Sequence, residues 1–310
     1  MITLNDPLVS IITPCLNGEP YLDRYFSSIL NQTYGPLELI FVNDGSTDRT
    51  EEIAFHYRPA LERRGIQFIY LYQENAGQAA ALNRGLKLFR GEYLTWPDAD
   101  DEMKPDCIEK KVAYLQAHPE LQLVRSDGIY YNRETGQKRG IARDEDKFTQ
   151  DIFEKLLLVQ TYGCCGCYMI SREVLAECYP DMDFFESRAG QNWQMLVPVS
   201  SRSLCGYIGE PLYTVYEHGD SHSRHQRSTE EMYYRWEMFT EVLRHAIEVS
   251  NCDRERYLNL IEENRARQQF YYAISAQDRA TLTRCMSEMK QYGSPTLKER
   301  LLYLKYLFRG

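Results

Sequence analysis

The sequence predicts an α/β protein built on a doubly wound, mostly parallel sheet with helices on both faces, followed by a C-terminal helical extension. Three observations predict it. From Leu8 to about Leu123, short β-branched or aromatic runs alternate with longer amphipathic segments, the βαβ pattern of a parallel sheet. The apolar runs lead into acidic or glycine-bearing turns, at the strand edge where open α/β sheets bind ligands. Beyond Arg227 the apolar spacing becomes helical.

The apolar run 9–13 reads as the first strand. A helix over about 19–31 follows, with Tyr21, Tyr25, Ser28 and Ile29 near helical spacing, and Asn31-Gln32-Thr33-Tyr34-Gly35-Pro36 closes it with turn residues. Strand 37–42 runs into Asp44-Gly45-Ser46-Thr47. Ser46 or Thr47 is the expected N-cap of a helix over 48–64, whose first turns hold Asp48, Glu51 and Glu52 in keeping with the helix dipole. Strands 67–72 and 92–96 precede helices over 77–90 and 104–118. From about 125 to 220 the pattern is irregular, with Tyr130-Tyr131-Asn132 and Glu134-Thr135-Gly136-Gln137 reading as a hairpin. Ser228 and Glu231 then form a capping box for a helix with Met232, Trp236, Phe239, Leu243 and Ala246 on one face. Three or four helices fill this last part.

Composition excludes several function classes. The 310 residues carry a formal charge of −9, which disfavours nucleic acid as a partner because phosphate neutralisation needs a basic surface. No window approaches the roughly 20 apolar residues of a membrane span, and the N-terminal stretch has no basic region ahead of an apolar run, so no secretory signal is read. Nine scattered cysteines without framework spacing point to reduced thiols and a cytoplasmic protein. Cys164-Cys165-Gly166-Cys167 lacks a second pair at zinc spacing and is read as buried small residues at an apolar strand, 166–170. No Gly-x-Gly-x-x-Gly follows the first strand, which argues against a dinucleotide-binding dehydrogenase.

The segment Trp96-Pro97-Asp98-Ala99-Asp100-Asp101-Glu102 carries the strongest chemical signal. Carboxylates crowded at a strand edge are costly without a cation, and oxygen ligands suit Mg²⁺ or Mn²⁺. The competing interpretation is that Asp100 and Asp101 cap the next helix. A second acidic turn, Asn43-Asp44-Gly45-Ser46, offers a carboxylate that can accept a base N–H. A third segment, Glu74-Asn75-Ala76-Gly77-Gln78, leads into a helix with Asn83 and Arg84. Gly77 permits close backbone approach there, and Asn83 offers amide contacts.

In order, these blocks resemble the inverting glycosyltransferases of family 2, which have the GT-A fold. The resemblance runs over roughly 8–220, through Val9 to Asn17, Ser28 to Tyr34, Glu38 to Asp48, and Gly91 to Leu94 leading into Asp98-Ala99-Asp100-Asp101. It implies a nucleotide-sugar donor lined by Thr13, Pro14, Asn17, Asp44, Gly77, Asn83 and Asp98, with Asp44 on the uracil or other base, Asp98 on ribose or sugar, and Asp100 on the metal. It also implies a division into 1–224, with a nucleotide-binding half (1–124) and an acceptor half (125–224), and an extension over 225–310. Tyr216 to Ser223 looks like the family's late His-x-x-Ser segment, which makes His218 the second expected metal ligand, with His222 and His225 as competitors.

The family usually places its base, an Asp of a Glu-Asp pair, just after a glycine. Here that position reads Gly190-Gln191-Asn192-Trp193, and neither amide can take a proton. Glu186 is the substitute base, ahead of Asp183 and Asp181, and Gln191, Asn192 and Trp193 are assigned to the acceptor. The same departure keeps open a non-catalytic nucleotide-sugar-binding or partner subunit. No Gln-x-x-Arg-Trp signature of processive synthases is present, which argues for single-sugar addition to a glycan or lipid-linked acceptor. Finally, the tail from Lys290 to Arg309 carries Leu297, Leu301, Leu304 and Phe308 on one stripe with Lys290, Lys298, Arg300, Lys305 and Arg309, and 294–310 is the candidate contact segment. That stripe either packs as ordinary core or makes a peripheral contact with the inner face of the plasma membrane.

Overall fold

The apolar runs form strands where expected. β1 (Val9–Cys15), β2 (Leu37–Asp44), β3 (Gln67–Gln73) and β4 (Tyr93–Thr95) lie in the order β3–β2–β1–β4, every neighbouring pair parallel. Helices α1 (Leu22–Leu30), α2 (Thr50–Arg63) and α3 (Gln78–Leu86) connect them. Alternate side chains of a strand face opposite sides of its sheet, and every residue of β1 and β2 is buried, so both faces are covered. The structure, a computed structural model, describes residues 6–217 and 227–307.

The chain continues through β5 (Glu102–Met103), α4 (Cys107–Ala117), β6 (Leu123–Asn132), β7 (Lys138–Gly140), α5 (Phe153–Leu157), β8 (Tyr168–Ser171), α6 (Arg172–Cys178), α7 (Gln191–Ser200) and β9 (Cys205–Glu217). The path across the sheet is β3–β2–β1–β4–β8–β6–β9–β5, with β7 beside β6. In this second half the sheet is mixed. β8 is antiparallel to β4 and β6, and β5 to β9, while β9 runs parallel to β6. Antiparallel neighbours need no crossover, so β8 and β5 can join the sheet against the direction of the strands beside them. The expected hairpin is β6–β7, with Tyr130 opposite Arg139.

Two local expectations need correction. The N-cap of α2 is Arg49, and neither Ser46 nor Thr47 caps it. Asp48 serves the first turn instead, accepting the Thr50 N–H at 3.0 Å, while the Ser46 hydroxyl accepts the Asn17 N–H at 2.9 Å. Cys165–Cys167 forms a 3-10 turn ahead of β8, outside the strand. Close approach of β9 dictates this turn, because a Cβ on Gly166 would sit 2.0 Å from the Tyr213 ring.

Helices α8 (Thr229–Glu248), α9 (Arg254–Ala276), α10 (Arg279–Tyr292) and α11 (Leu297–Leu307) follow. The Ser228–Glu231 capping box is present at the start of α8. Leu243, Ala246 and Ile247 of α8 join the main core, and a second apolar cluster of α9 and α10 centres on Phe270, Leu282 and Met286. Among the described residues no helix is long and apolar enough to cross a membrane.

Candidate functional site

Strand β4 ends at Thr95 and delivers the acidic turn to the C-terminal edge of the parallel strands. β1 and α1 hold the turn from beneath. The Thr13 hydroxyl, fully buried, donates to the Pro97 carbonyl at 3.1 Å and pairs with the Tyr25 hydroxyl at 2.5 Å. The Arg24 guanidinium donates to the Asp100 carbonyl and lies 3.8 Å from the centre of the Tyr216 ring. In this frame Asp98, Asp100 and Asp101 each present an oxygen, all within 4.8 Å of one another. Asp100 and Asp101 do not cap a helix: β5 intervenes, and α4 begins at Cys107 after Asp106.

The remaining contacts of the trio are specific. Asp98 accepts the Gln78 amide at 3.1 Å and the Cys165 thiol at 3.1 Å, and its own N–H donates to the Tyr213 hydroxyl at 3.1 Å. Burial, then the charge of Asp100, pushes the Asp98 carboxyl up to about 6 despite those donors. Asp101 is raised for the same two reasons, although it accepts the Tyr216 N–H at 3.0 Å and is hydrogen-bonded by Tyr213. Cys165 is also raised, by burial and by Asp98, so it stays a protonated donor and not a thiolate ligand. Three crowded carboxylates, two of them with raised pKa values, are the donor set that a hard divalent cation fits. Replacing Tyr213 with Phe leaves the buried Asp101 short of a donor. A loss of about 1–3 kcal/mol in unfolding free energy is expected by denaturant titration, with the sheet intact by circular dichroism.

The second acidic turn is closed on its own protein. Asp44 is buried and accepts from the Gln73 amide at 2.7 Å, the Ala76 N–H at 2.9 Å and the Gly77 N–H at 2.9 Å, so the loop after β3 folds over β2. Asn17, exposed and left-handed at φ 51°, accepts the Thr47 N–H at 2.9 Å and ties the β1 and β2 loops together. Pro14 is buried in β1. The Asn83 amide donates to the Phe184 carbonyl at 2.8 Å and accepts the Phe184 N–H at 3.1 Å, so, buried, it clasps the segment before α7.

Helix α7, expected on the acceptor side, opens at Gly190, whose φ of 66° and whose closeness to α8 (a Cβ would lie 3.0 Å from the Phe239 ring) both favour glycine. Gln191 donates to Gln78, which donates to Asp98, so an amide chain joins α7 to the acidic turn. Asn192 accepts the Trp96 indole N–H at 3.0 Å and donates to the Gly163 carbonyl at 3.1 Å. The Trp193 indole donates to the Leu156 carbonyl at 2.9 Å and its ring lies against Gly163, a wall position. Glu186 is exposed and has no hydrogen bond or ion pair among the described residues. Asp183 is ion-paired with Lys87 at 3.1 Å, and Asp181 is exposed. His218, His222 and His225 lie outside the described residues.

Sequence reasoning did not single out Arg24, Gln78, Tyr213 or Cys165 for the site. Gln78 adjoins Gly77 and Cys165 belongs to the thiol cluster, so both had a local signal. Tyr213 sits in an ordinary strand and had none.

Comparisons with known proteins place the fold and the family. The family model described as Glycosyl transferase family 2 matches residues 10–179. An uncharacterized glycosyltransferase of Haemophilus influenzae is 41% identical over 158 residues, covering 50% of this chain and 46% of the relative. One of Rickettsia typhi is 45% identical over 109 residues, covering 35% and 32%. The chain thus spans between a third and a half of the length of these curated relatives. Among solved structures, Staphylococcus aureus TarS 1–349 in complex with UDP-GlcNAc aligns at a TM-score of 0.64 and 16% identity, covering 96% of this chain and 79% of that one. The mannosyltransferase PcManGT from Pyrobaculum calidifontis, in complex with GDP-Man and Mn²⁺, aligns at 0.59 and 16% identity, covering 98% and 85%. At that identity the two share the fold, a GT-A-type mixed sheet with helices.

Proposed function

The chain belongs to glycosyltransferase family 2, and from that premise we propose that it moves one sugar from a nucleotide-diphosphate donor of the UDP-sugar class to a glycan or lipid-linked acceptor, in polysaccharide or glycoconjugate synthesis. The observation that carries this reading is the trio Asp98, Asp100 and Asp101, clustered within 4.8 Å and linked through Gln78 to the helix that opens the acceptor side. The transfer proceeds with inversion. The acceptor oxygen bonds to the anomeric carbon, the bond from that carbon to the diphosphate oxygen breaks on the opposite face, and the acceptor proton passes to Glu186. Gln191 and Asn192 orient the acceptor beside the Trp193 wall, and Asp98 contacts the donor ribose or sugar. Asp44 meets the base, which requires the 73–77 loop to release part of its carboxylate. Asp100, with Asp98 beside it and His218 as the second ligand, would hold Mn²⁺ or Mg²⁺, whose chemistry is to stabilise charge on the departing diphosphate.

We divide the work between 1–224, the catalytic part, and the extension 225–310, and place the acceptor at the inner face of the plasma membrane, with 294–310 as the contact. The test is a thermal-shift screen of nucleotide sugars with and without Mn²⁺. A donor at about a hundredfold above its dissociation constant adds about 2.7 kcal/mol to the folded state. The Asp98 carboxyl is raised from 3.8 to about 6, so the metal-free fold holds an extra proton between those values and loses stability as pH rises through them. A cation needs that proton gone. Mn²⁺-dependent stabilisation is therefore expected in full above about pH 6 and lost as pH falls through it, and no stabilisation by any nucleotide at neutral pH would refute the reading.

A further inference from the structure

Helix α11 is apolar on the wrong side for a helix that only packs. Its inward face carries Glu299, which is 1% exposed and ion-paired with Arg267 at 2.9 Å, together with Leu302, Tyr303 and Tyr306 against the second apolar cluster. Its outward face carries Leu297, Leu301, Leu304 and Leu307, at 75%, 58%, 47% and 40% exposure. Their spacing places the first three on one stripe directly opposite the packed face. The expectation that this stripe is ordinary core is therefore corrected.

The charges beside the stripe have one sign. Lys298 and Lys305 flank it on one edge and Arg300 on the other, all exposed, while the only acid of the helix, Glu299, is turned inward. The whole chain has a net charge of −9, while α11 carries three basic residues against the one inward Glu299, so its outward face is both apolar and cationic. We infer that the outward leucine ridge of α11 docks on an anionic lipid surface, the leucines entering the headgroup boundary and the two lysines reaching phosphates beside them. This rests on the proposed acceptor location and names the surface that keeps the enzyme there. Long basic side chains keep their stems along apolar surface and their charges in the headgroup layer. A second copy of the chain is the poorer occupant, because pairing two ridges would bring like charges together, whereas anionic headgroups meet both the apolar and the cationic part.

The experiment is flotation of the full chain with vesicles of phosphatidylglycerol in phosphatidylcholine, and with phosphatidylcholine alone, at low and high salt. Binding is expected to the anionic vesicles, weakened by salt. Leu301→Ser with Leu304→Ser is expected to reduce partitioning about tenfold or more, and Lys298→Glu with Lys305→Glu to reduce it about tenfold with loss of the salt dependence. These side chains point outward, so thermal midpoints should stay near wild type. Should the leucine variant unfold, the lysine variant carries the test alone. Equal partitioning of wild type and both variants would overturn the inference. So would a concentration-dependent dimer that the leucine variant dissociates without any vesicle binding. Metal-dependent nucleotide binding, measured on the same variants, should be unchanged. Vesicle binding without nucleotide binding in the wild type would sink the donor reading and leave the lipid surface standing.

Discussion

Asp100→Ala is expected to lower donor turnover by about 10²–10³ or more, because it removes the carboxylate proposed to hold the charge-stabilising cation. Metal-dependent nucleotide binding should go with it, whereas the metal-free protein should be no less stable than wild type. Repulsion within the cluster underlies that contrast. The Asp100 charge raises both Asp98 and Asp101, so deleting it relieves repulsion in a buried cluster. Isothermal titration with Mn²⁺ and a uridine nucleotide, set beside a thermal melt, separates the two effects. Full turnover in this variant would end the metal-assisted mechanism, and a collapsed melt would show that Asp100 serves the fold.

Glu186→Gln should lower kcat by about 10²–10³ while leaving the donor dissociation constant within about twofold, the pattern of a lost general base. The substitution is conservative in shape, and Glu186 has no hydrogen bond or ion pair among the described residues, so the fold should not respond. Steady-state kinetics on an acceptor substrate with the donor saturating makes the comparison. An unchanged kcat would remove Glu186 and leave inversion resting on leaving-group stabilisation. Asp183→Asn is the control, and its pairing with Lys87 predicts a small effect.

What could be read from the sequence follows from how far each signal reaches along the chain. Strands β1 and β2 were legible because burial on both faces makes a short continuous apolar run. The acidic turn was legible because its three carboxylates lie within four residues, 98–101. The clasp of Asn83 on Phe184 was hidden because the partner is 101 residues away, and nothing around position 83 marks an amide that will close on a distant backbone. Tyr213 was missed for the same reason, since its hydroxyl meets Asp98 across 115 residues from a strand whose local pattern is ordinary. The mixed second half of the sheet was also hidden, because β8 and β9 take their neighbours through irregular connections that carry no periodic mark. The outward face of α11 was present as a stripe, but which way the stripe faces is fixed only by the residues that hold the helix down.

The amides at the start of α7 are constrained by their neighbours more tightly than a lost carboxylate pair would suggest. Asn192 must give a proton to one carbonyl and receive one from an indole in the same conformation, and of the two, an aspartate could do only the second. A glutamate at 191 would set a fourth negative charge one amide away from Asp98, in a cluster whose burial already disfavours ionisation. Neutral side chains at both positions let α7 hold the acidic turn through amides that never titrate. The amides of this chain of hydrogen bonds stay neutral at any pH, but its last acceptor is the Asp98 carboxyl, raised to about 6, so the link between α7 and the acidic turn changes character as pH falls through that value.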